Sequence, residues 1–462
     1  MLRPSGSASA TASDPVIVSA PFTDRTPDWL TVERAIARVL GGADPLSPLH
    51  LSPTSAAGLV LAEDVVATAT LPPHDNSAMD GYAVRASDLP GASVETPVSL
   101  RVVGHATPGP PIDREVRSGE AIRITTGAPV PPGADSIVRV EDTDREAVDG
   151  TVEIHSERDT GRNVRPAGRD LRPGDVVARA GQLLTPGVLG VTVAAATELV
   201  VVHPRPHVTI LTTGDELAGP DRLDEVRRGD AIADLNGPML AAAVQAAGGI
   251  PRLQPAAPDD LEVLGERLDQ ARDTDLLITV GGASMGTGDL VKRALDRLGF
   301  ELDFWRVNMR PGSPFGFGLL PREGGTPLAV CSLPGNPASA FVTFELFARP
   351  LIRKLAGRAD LHRPTVVALA SETLPGNPRL TMFPRVRLET DEAGFPSVRR
   401  AGDQSSGLVH SLAQANALAV VPPSDHPVEA GTPLRVLVLD DTGGGAPHPA
   451  WLEPVDVDGS TP

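Results

Sequence analysis

The chain has 462 residues, enough for about two to four domains and a large buried core. Lys and Arg total 41 against 59 Asp and Glu, a formal net charge of −18, which disfavours any extended cationic face for nucleic acid or an anionic membrane. With 10 Phe, 3 Trp and 1 Tyr it lacks base-stacking platforms, and the single cysteine, Cys331, excludes an internal disulfide framework and fits a reducing, cytoplasmic setting.

Residues 1–27 contain no continuous apolar segment of the kind a secretory signal needs and are expected to be a disordered tail. From Asp28 to Leu40 the residues Val32, Ala35, Ile36, Val39 and Leu40 recur at helical spacing, and Gly41 and Gly42 stop the helix. Between Asp64 and Arg158 the short β-branched runs VSLRVV, AIRITT, DSIVRV and GTVEIH, separated by Pro and Gly, predict a small β domain. The apolar run Val188–Val202 is broken by Thr192, Thr197 and Glu198 and is too short to cross a membrane. It returns the chain to the region that began near Asp28. From His207 the texture alternates: VTILTT, LLITV and LAVCSL read as strands, and Gly237–Ala247, Asp259–Arg272, Asp289–Leu298 and Ala338–Leu355 as helices. This is the pattern of an α/β layer with a mostly parallel sheet. PRVRLE and LRVLVL then predict a second β domain. The expected bounds are 28–72 with 159–205 for an elongated N-terminal domain, 73–158 for an inserted β domain, 206–358 for the α/β domain, 359–440 for the C-terminal β domain and 441–462 for a second disordered tail.

Three of the α/β strands run into glycine-bearing polar loops: Gly214-Asp215-Glu216, Gly281 to Asp289, and Pro334-Gly335-Asn336-Pro337. Such loops are either structural turns or cradles in which backbone N–H groups approach a phosphate, and their recurrence at strand ends favours the cradle. Neither a Walker lysine pattern nor GxGxxG occurs in them. Asp215, Glu216 and Asp289, with Asp234 and Asp259 near other strand ends, are the acids Mg²⁺ would need beside phosphates; for Asp259 or Asp289 alone, helix capping is the ordinary reading. Arg306 and Arg310, four residues apart before a Pro-Gly turn, are either a clamp for a tetrahedral anion or a solvated surface pair. The histidines show no zinc-ligand spacing.

Together these segments resemble the molybdopterin molybdenumtransferases, the MoeA family, to which the gephyrin E domain is similar. The resemblance covers Asp28 to Leu439. It is carried by PHDNSAMDGYAV (73–84), RITTGAPVPPGAD (123–135), NVRPAGRD (163–170), LTTGDEL (211–217), VGGASMGTGD (280–289), RPGSPFGFG (310–318) and SLPGNPASA (332–340). It implies an elongated multidomain fold, α/β plus β, with a MogA/MoaB-like molybdopterin-binding domain, an inserted β domain and a C-terminal β domain. The implied reaction takes adenylated molybdopterin and molybdate, with Mg²⁺, to molybdenum cofactor and AMP. Carried over position by position, the catalytic residues would be Glu216, Asp289, Asp75, Thr126 and Asp170, with Glu216 and Asp289 on Mg²⁺. Cofactor binding would fall on Gly214, Asp215, Gly281, Gly282, Ser284, Gly286, Asp259, Lys292, Arg306, Arg310, Pro334, Gly335, Asn336 and Pro337, although Lys292 also reads as a surface cation. The resemblance further implies a homodimer whose cleft is shared between subunits, and as partners the molybdopterin adenylyltransferase and recipient molybdoenzymes, without nucleic acid or membrane. The chain departs from the family in carrying Arg306 and Arg310 where many members have Lys, Ser313 where many have Lys, and Leu235 in place of a hydroxyl residue. A tungstate-preferring transferase, a molybdopterin-adenylylating enzyme and a non-catalytic binding or scaffold paralogue are the competing functions. The length and DNSAMDGYA argue against the second, and the retained acids against the third.

Overall fold

The computed structural model describes residues 29–281, 290–390, 394–439 and 452. Both expected tails, Leu452 apart, and within the site expectations Gly282, Ser284, Gly286 and Asp289, lie outside the described residues. By packing, the chain forms two compact units: one of residues up to Ser47 and from Pro204 onward, the other Pro48–His203.

The first unit is built on a six-stranded sheet in the order Ile250–Leu253, His207–Thr212, Leu276–Val280, Leu328–Leu333, Gly316–Leu320, Glu301–Phe304. The first four strands are parallel; Gly316–Leu320 runs against both its neighbours. The central strands are apolar on both faces, as a sheet covered by helices on each side requires. Leu276, Ile278 and Val280 point into one core with helix Asn236–Ala247 and the helical run from Pro337 to Leu355, whereas Leu277 points into the other with Leu261–Gln270 and Leu290–Arg297.

The N-terminal helix, Val32–Gly41, starts at Thr31, whose side chain accepts the N–H of Arg34. Its buried stripe of Val32, Ala35, Ile36 and Val39 joins the first of these cores. The grouping of 28–72 with 159–205 expected from sequence therefore divides in the packing at Ser47. Periodicity announces a buried face but not the partner that covers it.

The expected helix Ala338–Leu355 is a continuous helical run with a π-turn at Phe344–Ala348. Pro350 explains it, since proline has no N–H to donate and its ring crowds the carbonyl one turn back. Within that turn Glu345 is buried and accepts from Nε and Nη2 of Arg363 at 2.8 and 3.1 Å, with Nε of the fully buried Arg349 at 3.7 Å. This pair fastens the helix to the chain entering a closed five-stranded barrel of Thr365–Ala370, Pro396–Arg400, Arg385–Thr390, Ala417–Val420 and Pro433–Val438.

The second unit holds a five-stranded sheet ordered Ser136–Arg139, Gly81–Val84, Glu120–Ile124, Val98–Ala106, Thr151–Ile154, with a core on each face. Gly81 is required there, because a Cβ would lie 1.9 Å from the carbonyl oxygen of Val138 on the adjacent strand. A three-stranded sheet of Leu49–Leu51, Val200–His203 and Val60–Leu61 surrounds a separate small core. The helix Pro186–Ala194 beside it is apolar, yet only Thr192 is buried.

Removing the shared carboxylate by Glu345→Ala leaves two buried guanidinium groups without it and should destabilise the first unit by about 3–5 kcal/mol. Urea unfolding of the full chain checks this; an unchanged midpoint would show the pair to be energetically idle.

Candidate active site

The three parallel strands end in register, Thr212 beside Val280 and Val280 beside Leu333, so the loops that follow emerge side by side. They enclose a cleft of 860 Å³. Of the residues expected to bind or react, Gly214, Glu216, Asp259, Gly281, Pro334, Gly335, Asn336 and Pro337 line it, joined by Asp234 and Asn236. Gly214 has φ +148°, and a Cβ there would fall 2.7 Å from Glu216 Oε2, so the glycine lets the Glu216 carboxylate fold against the loop. Asp215 does not line the cleft; its Oδ1 accepts the backbone N–H of Asp259 at 2.9 Å and so ties the first loop to the segment after Ile250–Leu253. Asp259, expected to bind cofactor, had helix capping as its alternative reading. The cap is instead Asp260, whose Oδ1 accepts from Glu262 and Val263 N–H at 2.9 Å. That leaves the Asp259 carboxyl for the cleft, held above the usual carboxylate range by desolvation and then by the charges of Asp215 and Glu216.

Among the described residues no group of three or more His, Cys, Asp or Glu is arranged to hold a metal ion. A gathering of hard carboxylate oxygens that repel one another suits Mg²⁺, which usually takes one or two carboxylates and completes its shell with water and substrate phosphate.

Lys292, Arg306 and Arg310 are not among the residues that line the cleft. Lys292 Nζ sits 4.0 Å from the Trp305 ring centroid, Arg306 Cζ 5.2 Å from that of Trp29, and Arg310 is exposed on the short strand Met309–Arg310, paired with Thr381–Met382. Ser313 donates to the Met309 carbonyl at 2.6 Å, closing the turn that follows Arg310.

In the second unit, three of the quoted segments are tied together by their own polar groups. Asp75 Oδ1 accepts the Ala167 N–H at 2.7 Å, and Asp80 Oδ1 accepts both the N–H and the hydroxyl of Thr126, at 2.6 and 2.8 Å. These two bonds hold the Asp80 carboxyl below its ordinary range. Asp170 lines a separate pocket of 510 Å³ with Leu71, Pro72, Asn76, Arg165 and Arg169.

Residues 30–196 match the MoeA N-terminal region (domain I and II), 209–354 a probable molybdopterin binding domain, and 367–439 the MoeA C-terminal region (domain IV). The chain is 41% identical over 413 residues to molybdopterin molybdenumtransferase 2 of Mycobacterium tuberculosis, covering 87% of this chain and 97% of that protein. The chain belongs to the MoeA family. Its function lies in molybdenum cofactor biosynthesis. The molybdopterin molybdenumtransferase of Staphylococcus aureus is 29% identical over 412 residues, 89% of this chain and 96% of that protein. The crystal structure of the molybdopterin biosynthesis moeA protein from Pyrococcus horikoshii superposes with a TM-score of 0.72 at 26% identity, over 89% of this chain and all of that one.

Several residues of this MoeA cleft had no assigned role in the sequence. Asn236 Nδ2 donates to the Gly335 carbonyl at 2.7 Å and links the start of its helix to the third loop. Thr212 and the Gly237 N–H both donate to Asp234, at 2.7 and 3.0 Å. Gly407 forms part of the wall, and Ser406 beside it accepts from Asn336 Nδ2 at 3.1 Å, so the barrel reaches the cleft. Only the polar run GDQSSGLV hinted at this loop. Asp80 lay inside a quoted motif, but nothing in its spacing distinguished it from Asp75.

Thr126→Val removes the hydroxyl donor and should move the Asp80 carboxyl upward toward its ordinary range, as read by carbon NMR titration; an unmoved titration would show that the hydroxyl does not hold it. For Asp259 the folded pKa is raised, so stability is lost as the pH rises from the ordinary carboxyl value through the folded one, and the cost is complete above it. Asp259→Asn should therefore raise Tm modestly at neutral pH, with the gain shrinking as pH falls, while lowering turnover. Thermal scans across pH check the sign.

Proposed function

We propose that this chain is a molybdopterin molybdenumtransferase that converts adenylated molybdopterin and molybdate into molybdenum cofactor and AMP, in a Mg²⁺-dependent reaction. The observation that carries this reading is the cleft at the ends of three parallel strands, where glycine loops and acids converge on one side of the sheet. Gly214 and Gly281, their own N–H groups bonded to the Ala257 and Leu333 carbonyls, and Gly335 would let a phosphate approach the loop backbone closely, at the positive end of the helical run that starts at Pro337. Pro334 and Pro337 stiffen the third loop, and Asn236 fixes its carbonyl. Glu216 and Asp289 would hold Mg²⁺, which supplies charge neutralisation at the phosphoanhydride when bound. Arg306 and Arg310 would receive the metal oxyanion through bidentate hydrogen bonds. Loss of AMP then accompanies seating of molybdenum on the dithiolene.

Asp75, Thr126 and Asp170 belong to the other packing unit, and we assign them to a cleft completed by the partner subunit of a homodimer. The apolar, largely unburied helix Pro186–Ala194, with Val193, Leu199 and Leu49 about half exposed, supports self-association through that unit. The lone cysteine, buried and with its thiol pushed up by desolvation, accords with a reducing cytoplasmic setting.

Purified protein should release AMP from adenylated molybdopterin only with molybdate and Mg²⁺, and the product should reconstitute a cofactor-free molybdoenzyme. Glu216→Ala should abolish both signals with an unchanged circular dichroism spectrum. Wild-type turnover in that variant would overturn the assignment of Glu216; tight pterin binding without AMP release in the parent protein would make it a binding paralogue.

A further inference from the structure

The N-terminal edge of the α/β unit lays an aromatic ring on one of the two arginines assigned to the oxyanion. Leu30 donates its N–H to the Arg306 carbonyl at 3.1 Å and accepts the Asn308 N–H at 2.8 Å, forming a parallel bridge opposite Val307. Asn308 Nδ2 reaches the Trp29 carbonyl at 3.4 Å. The segment is thus pinned by its backbone, and the pinning sets the Trp29 indole 5.2 Å from Arg306 Cζ. Trp29 remains 40% exposed, so core filling does not account for a tryptophan at this position. The ring lies against the Arg306 guanidinium.

Stacking on an indole uses the face of a guanidinium and leaves its N–H groups in the perpendicular plane, where a tetrahedral oxyanion is bound edge-on. The two interactions do not compete. The ring removes part of the rotamer freedom that the half-buried Arg306 side chain would otherwise lose on binding. A lysine at 306 has no plane to align and would gain only the point-charge attraction.

We propose that Trp29 is a positioning residue for oxyanion binding, acting through Arg306. This rests on the reading that Arg306 belongs to the oxyanion site, and the test separates the two. Molybdate alone is titrated calorimetrically into the full-length protein and into Trp29→Ala, Trp29→Phe, Arg306→Ala and the Trp29→Ala/Arg306→Ala double variant, with the KM for molybdate in AMP release as a second readout. Trp29→Ala should weaken molybdate binding about two- to fivefold, the size of an exposed cation–π contact, raise KM and leave kcat unchanged. Trp29→Phe should recover part of the loss, and in the Arg306→Ala background the tryptophan should have no further effect. Weakening by Arg306→Ala with none from Trp29→Ala overturns the positioning role alone. Equal weakening by Trp29→Ala in both backgrounds overturns it in favour of a structural role, and undiminished binding in Arg306→Ala overturns the reading of Arg306 and the proposal with it.

Discussion

The candidate site depends on the register of three parallel strands. Thr212, Val280 and Leu333 stand level in the sheet, so the chain leaves all three strands at one edge. A parallel ladder shifted by one residue would turn Leu276, Ile278 and Val280 out of one core and into the other, so the two helical layers police the register through the apolar alternation itself. Buried hydroxyls reinforce it: Thr279 donates to Ser332 at 3.0 Å between two strands whose side chains are otherwise apolar. The convergence of Glu216, Asp259, Gly281 and Gly335 follows from that geometry.

The loops then stabilise one another with polar groups that carry no chemistry of their own. Asp215 spends an oxygen on the Asp259 N–H, Asn236 its amide on Gly335, and Asn336 its amide on Ser406. The last of these leads into the barrel, where Arg385 is fully buried and donates to the carbonyls of Asp403 and Ser405 and to the Ser411 hydroxyl. Desolvation lowers its pKa, and the carbonyls and the hydroxyl replace part of the hydration it loses, Nη1 having no hydrogen-bond partner among the described residues. A buried arginine holding main-chain carbonyls fixes a loop more tightly than apolar packing does, and the Asp403–Gly407 loop is the one that reaches the cleft wall.

The strands were legible because β-branched runs such as LLITV and LAVCSL have no other stable reading between glycine stops, and the cleft loops because glycines and acids recur where those runs end. What was not legible was set by contacts distant in sequence. Ser406 meets Asn336 across 70 residues, and no local pattern encodes that pairing. The helix Val32–Gly41 showed its apolar stripe but not that Phe317 would lie against Gly42. Of the adjacent pair, capping was weighed for Asp259 alone; the cap is its neighbour Asp260, extended at φ −122°, ψ 127° as an N-cap must be, and residue type does not separate the two. Pro350 was visible, yet reading the helix through it overlooked the π-turn that accommodates it.

The polar residues of the second unit divide by what they already hold. Asp75 and Asp80 are committed to Ala167 and Thr126, so they set the shape of the loops in which they sit. Asp170, Arg165 and Arg169 instead face a pocket. Loss of activity on replacing Asp75 would therefore not by itself identify a catalytic group, because the Ala167 loop would be released in the same step. In the first unit the balance is reversed: the Glu216 loop is shaped by Gly214 and the Asp259 loop is capped by Asp260, which leaves both carboxyls to the cleft. Two acids whose loops are held by other residues, one of them with its pKa raised by burial and then by the neighbouring Asp215 and Glu216 charges, are arranged to meet a charged ligand rather than to hold the fold.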